Sequence, residues 1–281
     1  MSAIELDTVS LRYVDAAADA LDGISLDIES GAVTWLHGAP GAGSSTLLLV
    51  LGGYAPRFTG GALRGRIRML GADPQTEDGR AALRGRVAYV TAVPALQLSG
   101  IAATVWEEIA FAPANLGWPI ETIRTSVDTV LDRLGIRGLS TRNPLELSGG
   151  ELQRVVVAAV AVLEPSVWLL DEPATALDAG GRARLFDVMI SEARRGAAVV
   201  VASEDADALG PVADRLIVLQ HGRVVLDGRP AELLSGDAVW AAGAAGTAYA
   251  DIARRAAGLV ASPRLAPPYP LDLALAVTRW S

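Results

Sequence analysis

Val33-Thr34-Trp35-Leu36-His37 runs directly into Gly38-Ala39-Pro40-Gly41-Ala42-Gly43-Ser44-Ser45-Thr46, and leucines carry the chain on to Leu51. The first five residues suit a buried strand, the glycines mark a tight turn, and the residues from Ser44 to Leu51 suit a helix. Strand, glycine turn and helix in that order open an α/β unit that cradles phosphate. Gly38, Gly41 and Gly43 let backbone N–H groups curl around phosphate oxygens, and the helix turns its positive end towards them. The spacing is that of a P-loop, G-x-x-x-x-G-K-[ST], with one change: Ser44 stands where a lysine would reach the β- and γ-phosphates. Ser45 stands where a hydroxyl ligates Mg²⁺, and Thr46 follows it.

The missing lysine is general. All 24 basic residues are arginines, so any lysine chemistry must come from another chain. The 281 residues are 51% hydrophobic and 20% charged, enough for a sizeable core and too apolar for a disordered chain. A formal charge of −8 argues against a broad nucleic-acid surface. The absence of cysteine fits a reducing compartment and leaves no thiolate metal site. The first residues show neither a basic nor an apolar leader segment, and the longest apolar run, 155–163, ends at Glu164-Pro165. The expectation is a soluble intracellular protein.

Outward from the opening unit, residues 4–14 and 24–28 read as strands before it, and 65–70 and 86–91 as strands after it. Residues 98–146 change character. Helical spacing at 104–111 and 121–134, broken by Pro113, Gly117-Trp118-Pro119 and Gly135, marks a helical insertion. The α/β pattern then returns, with helices at 149–163 and near 179–194 and strands at 167–171, 198–203, 216–219 and 223–226. The fold class expected is α/β with a largely parallel sheet, over residues 1–235. Residues 236–281, rich in Ala, Gly and then Pro, read as a small helical appendage.

Two further stretches carry chemistry. Val167-Trp168-Leu169-Leu170-Asp171-Glu172 is a buried-strand run ending in two carboxylates. Asp171 is placed to hold Mg²⁺, and Glu172 to orient or deprotonate an attacking water. In Leu147-Ser148-Gly149-Gly150-Glu151-Leu152-Gln153-Arg154, a serine and two glycines open a helix and form a second anion cradle. One chain has no need of two cradles, so the economical arrangement is a dimer in which each faces the other chain's P-loop.

These residues resemble the ATP-binding subunits of ABC transporters, across roughly residues 3–235. In that resemblance 147–154 is the signature motif, Asp171-Glu172-Pro173 the Walker B segment with its catalytic glutamate, and Ala176-Leu177-Asp178 the D-loop. Tyr13 falls where an aromatic residue stacks on adenine. The stretches 93–98 and 104–117 are most similar to the energy-coupling-factor ATPases, which serve importers of vitamins and metal ions. The implied fold is a P-loop NTPase sheet with an antiparallel portion and an inserted α-helical subdomain. ATP and Mg²⁺ are the implied cofactors.

Three positions depart from the family. Its Q-loop glutamine falls on Ala92, its H-loop histidine on Glu204, and its P-loop lysine on Ser44. Gln97 matches a different position. The half-site this chain builds has therefore lost polar contacts to phosphate, metal or water, while the signature, the D-loop and Glu172 are intact. Each lost charge-assisted contact costs roughly 1.5–3 kcal/mol, so ATP would bind about ten- to a hundredfold more weakly, and turnover would suffer more.

The resemblance therefore implies a heterodimer with a second ATPase that keeps the lysine, glutamine and histidine, docked on a transmembrane transporter subunit at the cytoplasmic face of the membrane. Ser148, Gly149 and Gly150 would complete the partner's site. The rivals are a homodimer hydrolysing ATP slowly through Glu172, a non-hydrolysing regulatory module, and a non-transport ABC protein, whose tandem domains, cysteines or coiled coil are missing. Among the remaining residues, His37 reads as a strand-end packing residue and His221 as a hairpin-turn residue. Arg57, Arg64, Arg66 and Arg68 read as a solvated strand face, and Trp106 and Trp118 as core or interface residues.

Overall fold

The computed structural model describes residues 2–235, 237–248 and 250–251. Strands β1 (Ser2–Arg12) and β2 (Leu21–Glu29) pair antiparallel, and β3 (Val33–His37) leads through the glycine turn into α1 (Ser44–Leu51). β4 (Ala62–Met69) returns to the other edge of β1, giving an antiparallel sheet of order β2-β1-β4. α2 (Glu77–Leu83) and β5 (Val87–Val90) follow, and α3 (Val105–Asn115) and α4 (Ile120–Arg133) form the helical insertion. The chain continues with α5 (Gly149–Ala161), β6 (Val167–Asp171), α6 (Ala179–Arg194), β7 (Ala198–Ala202), α7 (Ala206–Leu209), β8 (Arg215–Gln220) and β9 (Arg223–Gly228). α8 (Pro230–Leu234) and α9 (Ala238–Ala241) close the described chain, the latter within the expected appendage.

The second sheet has the order β5-β6-β7-β3-β8-β9, parallel except for the final β8–β9 hairpin. Every residue of β3, β6 and β7 is buried, because both faces of this sheet are covered. Successive side chains alternate between two cores. Trp35, Trp168, Leu170, Val199 and Val201 point to the core shared with α3, α4, α5 and α6. Leu36, Leu169, Val200 and Ile217 point to the core shared with α1 and the antiparallel sheet.

Two details differ from the sequence reading. Pro113 lies inside α3 rather than ending it, near the helix's C-terminal turn. A capping box at Thr104 and Glu107 starts that helix firmly, and its apolar residues Val105, Ile109 and Ala110 are buried, so packing outweighs the proline. The short helices α2 and α7 are signalled mainly by their caps, Thr76 and Asp205, which accept backbone hydrogen bonds from Gly79 and Ala208. Among the described residues no helix is long and apolar enough to cross a membrane.

Two arginines of β4 lie against acidic neighbours. Arg66 pairs with Asp7 across the β1–β4 ladder, and Arg64 joins Arg12 in bonding Asp19. Both pairings hold their carboxyls below the usual range, with the Arg66 and Arg12 hydrogen bonds as the main causes. Arg57 lies over the Phe58 ring, 4.8 Å from its centroid. His221 occupies the β8–β9 turn with φ +49°.

Candidate functional site

The glycine turn needs its glycines for this chain's own geometry. A Cβ on Gly38 would stand 2.5 Å from the Leu219 carbonyl oxygen, while Gly41 and Gly43 have φ of +82° and +114°. α1 then begins with no side-chain cap and no acidic residue in its first turn, so its leading N–H groups are left for an anion. Ser44 is the first residue of that helix, and its one-carbon stem cannot span the length a lysine would.

Ser45 and Asp171 meet. The Ser45 hydroxyl donates to Asp171 Oδ1 at 2.9 Å, joining the start of α1 to the end of β6. Burial raises the Asp171 carboxyl above its ordinary pKa, the Ser45 bond opposes this, and the neighbouring Glu172 charge adds to it. A hydroxyl and a carboxylate are hard oxygen donors and fit Mg²⁺, which takes few protein ligands and completes its shell with water and phosphate oxygens. Among the described residues no group of three His, Cys, Asp or Glu could cage a metal alone, so an ion here would depend on the nucleotide.

Glu172 takes the left-handed conformation, φ +46°, which a side chain adopts at a cost. Its carboxylate accepts from the Glu204 backbone N–H at 2.8 Å, the Ser203 hydroxyl at 3.1 Å and the Thr175 hydroxyl at 3.0 Å. Three donors thus hold the candidate base against the loop after β7. That loop is anchored from β3 as well. The Ser203 carbonyl receives the Trp35 indole N–H at 2.8 Å and lies 3.1 Å from His37 Nδ1. His37 is buried and packs on Trp35, and its Nε2 stands 2.6 Å from the Ala245 carbonyl, so it bridges β3 to the appendage. The Glu204 side chain itself is exposed.

Ala92 lies just beyond β5 and offers only a methyl group. Gln97 folds back onto this strand end. Its Oε1 accepts from the Thr91 N–H at 2.8 Å and its Nε2 donates to the Tyr89 carbonyl at 2.7 Å, so it pins the loop. Tyr13 is half-buried, and its hydroxyl donates to Thr46 Oγ1 at 3.2 Å. Tyr89, to which the sequence assigns no role, packs against Tyr54 with ring centroids 5.1 Å apart and planes tilted by 41°. Burial pushes its hydroxyl pKa up, and the Asp171 charge adds to the effect.

The second cradle opens α5. Ser148 is the N-cap, Ser148 and Gly149 are exposed, and Gly150 is partly covered. The two glycines have different reasons. A Cβ on Gly150 would stand 2.9 Å from the Ala176 carbonyl oxygen, so this glycine admits the loop ahead of α6. At Gly149 a Cβ would find only Ala176 Cβ at 3.9 Å, an ordinary contact, and no positive φ demands glycine. Nothing within the described chain requires a glycine there. Asp178 caps α6, its Oδ1 accepting from the Gly181 N–H at 2.7 Å.

Comparison with known proteins agrees with this layout. The family described as ABC transporter matches residues 21–175. The energy-coupling factor transporter ATP-binding protein EcfA2 of Methanospirillum hungatei is 34% identical over 83% of this chain, which spans 56% of that relative's own length. The nickel import ATP-binding protein NikO of Rhodobacter capsulatus is 38% identical, over 84% of this chain and 93% of the relative. Among solved structures, cbiO1 of Clostridium perfringens, part of the ABC transporter complex cbiONQ, superposes with a TM-score of 0.73. It is 31% identical over 85% of this chain and 92% of its own. With an α/β nucleotide-binding sheet, an inserted helical subdomain and relatives of this closeness, the chain belongs to the ABC transporter family, among the energy-coupling-factor type ATP-binding proteins.

Proposed function

We propose that this chain is the ATP-binding subunit of an importer of the energy-coupling-factor type that contributes more to a partner's active site than to its own. The observation that carries this reading is the contrast between the two cradles. The P-loop keeps its three required glycines but has Ser44 at its head, with Ala92 and Glu204 at the two neighbouring loops. The signature cradle has an exposed serine and a glycine at 149 that this chain's own packing does not require. An opening left at a helix N-terminus is suited to an anion arriving from outside, here the terminal phosphate of ATP held by a second ATPase.

In this arrangement the P-loop amides and the dipole of α1 hold the phosphates of ATP in this chain's own seat, and Tyr13 lies beside it. Ser45 and Asp171 would hold Mg²⁺, whose contribution is to neutralise charge on the phosphates. Weak turnover is expected there, because nothing in the chain replaces the lysine that opposes charge on the transferred phosphoryl. Ser148, Gly149 and Gly150 complete the partner's site, and Asp178 holds the intervening loop by capping α6. Closure around ATP and reopening after hydrolysis in the partner's site drive a membrane subunit, which places the chain peripherally on the cytoplasmic face. The name of one relative, the nickel import ATP-binding protein NikO, points to metal-ion cargo.

The test is Ser148→Ala in the complex purified with its ATPase partner. Loss of most of the complex's turnover, with the chain's own ATP binding unchanged, supports donation of the signature. Unchanged turnover refutes it. A second reading, slow hydrolysis in a homodimer, rests on the presence of Glu172 beside Asp171 and predicts that Glu172→Gln abolishes turnover of the chain alone.

A further inference from the structure

The signature cradle already contains an anion. Glu151 Oε2 accepts the Ser148 backbone N–H at 2.9 Å and the Ser148 hydroxyl at 2.8 Å, while the Glu151 N–H donates back to Ser148 Oγ at 3.4 Å. The carboxylate's other oxygen lies 3.3 Å from Arg142 Nη1. The backbone and side-chain bonds from Ser148 hold the Glu151 carboxyl below the usual range, so it is charged at neutral pH. As local structure this is a capping box, satisfying two donors at the start of α5. Its consequence for binding is separate. A serine hydroxyl has one proton, and here that proton is directed at Glu151.

We infer that Glu151 is a specificity-determining positioning residue that competes with the partner-bound terminal phosphate for the Ser148 hydroxyl, so that the cradle engages ATP only after this carboxylate withdraws towards Arg142. The inference rests on the proposed donation of the signature to a partner and deepens it. Like charges cannot share one donor at this distance, so either the carboxylate or the phosphate holds Ser148. Arg142 already touches the carboxylate's free oxygen and is half-exposed, which lets it retain Glu151 as it moves. Arg154, one turn on, is drawn back to the Gly150 carbonyl at 3.3 Å and adds positive charge on the same side. A diphosphate in the partner's seat lacks the third phosphate that would displace Glu151, so the resting cradle stays self-satisfied until a triphosphate is present.

The test uses the complex purified with its ATPase partner and ATP as the varied ligand. Glu151→Gln keeps a capping box, because a glutamine oxygen accepts the same backbone N–H and hydroxyl, but as a neutral and weaker acceptor that no longer repels a phosphate. The expected result is a KM for ATP lowered about fivefold to tenfold, with kcat changing less and Tm within a degree or two of the wild type. Arg142→Ala should shift KM the other way, and Glu151→Gln combined with Ser148→Ala should turn over no faster than Ser148→Ala alone. An unchanged or raised KM in Glu151→Gln overturns the competition. Ser148→Ala alone separates the two ideas. If it abolishes turnover while Glu151→Gln leaves KM unchanged, donation stands and competition falls. If Ser148→Ala changes nothing, both fall.

Discussion

At the scale of single residues, the proposed function turns on what Ser44, Ala92 and Glu204 cannot supply to a phosphate and on how Asp171 and Glu172 are held. Replacing Ser44→Lys, Ala92→Gln and Glu204→His together should raise turnover in this chain's own site by at least tenfold, measured as ATP hydrolysis by the complex with the partner's own P-loop inactivated. No gain would mean that these three positions are not what impairs it. Asp171 supplies a pH prediction. Its folded-state pKa is raised by burial, so the folded chain binds its proton more readily than the unfolded chain, and stability falls as pH rises from the ordinary carboxylate range through the raised value. Asp171→Asn should therefore be more stable than the wild type at neutral pH, and the difference should fade on acidification. Mg²⁺ with ATP should reverse the order, stabilising the wild type and not the variant, as thermal melts with and without the metal would record. Ser45, Asp171 and Glu172 were legible in the sequence because motif spacing places them. The donors that fix Glu172 were not, because Ser203 and Thr175 are common residue types whose role arises only when the ends of β6 and β7 lie side by side. His37 was readable as a buried strand end, but its contact with Ala245 joins residues some two hundred positions apart.

At the scale of elements, the strands and longer helices were readable from their apolar patterning, as continuous runs or as stripes. β3, β6 and β7 are continuous apolar runs, and α4 and α5 carry clear apolar stripes. What escaped was the detail that tertiary contact decides: Pro113 accommodated within α3, and α2 and α7 held by single caps. The start of α5 yields a prediction that separates packing from binding. Gly150→Ala drives a Cβ to 2.9 Å from the Ala176 carbonyl oxygen and should destabilise the chain by about 1–3 kcal/mol, as overpacking does. Gly149→Ala meets no obstacle and exchanges glycine for a better helix former, so the melting temperature should hold or rise slightly, with up to about 1 kcal/mol gained. If an outside phosphate uses that opening, Gly149→Ala should nevertheless lower the complex's turnover. A stable Gly149→Ala variant in a fully active complex would remove the main reason for assigning the opening to a partner.

At the scale of the whole molecule, the two cores place the phosphate turn at the end of the parallel sheet and set the helical insertion on one face of it. The alternation of strand-rich and helix-rich stretches in the sequence points to the same division. The sequence motifs assign the signature opening to a partner but no other surface, because an exposed serine or glycine outside a motif looks alike in sequence whether it faces solvent or another chain. The central claim is that this subunit turns over ATP through its partner. The most direct measurement is steady-state ATP hydrolysis by the purified chain alone and by its complex. The isolated chain is expected to show negligible activity, and the complex strong activity that disappears with Ser148→Ala. Rapid hydrolysis by the isolated chain, abolished by Glu172→Gln, would contradict it.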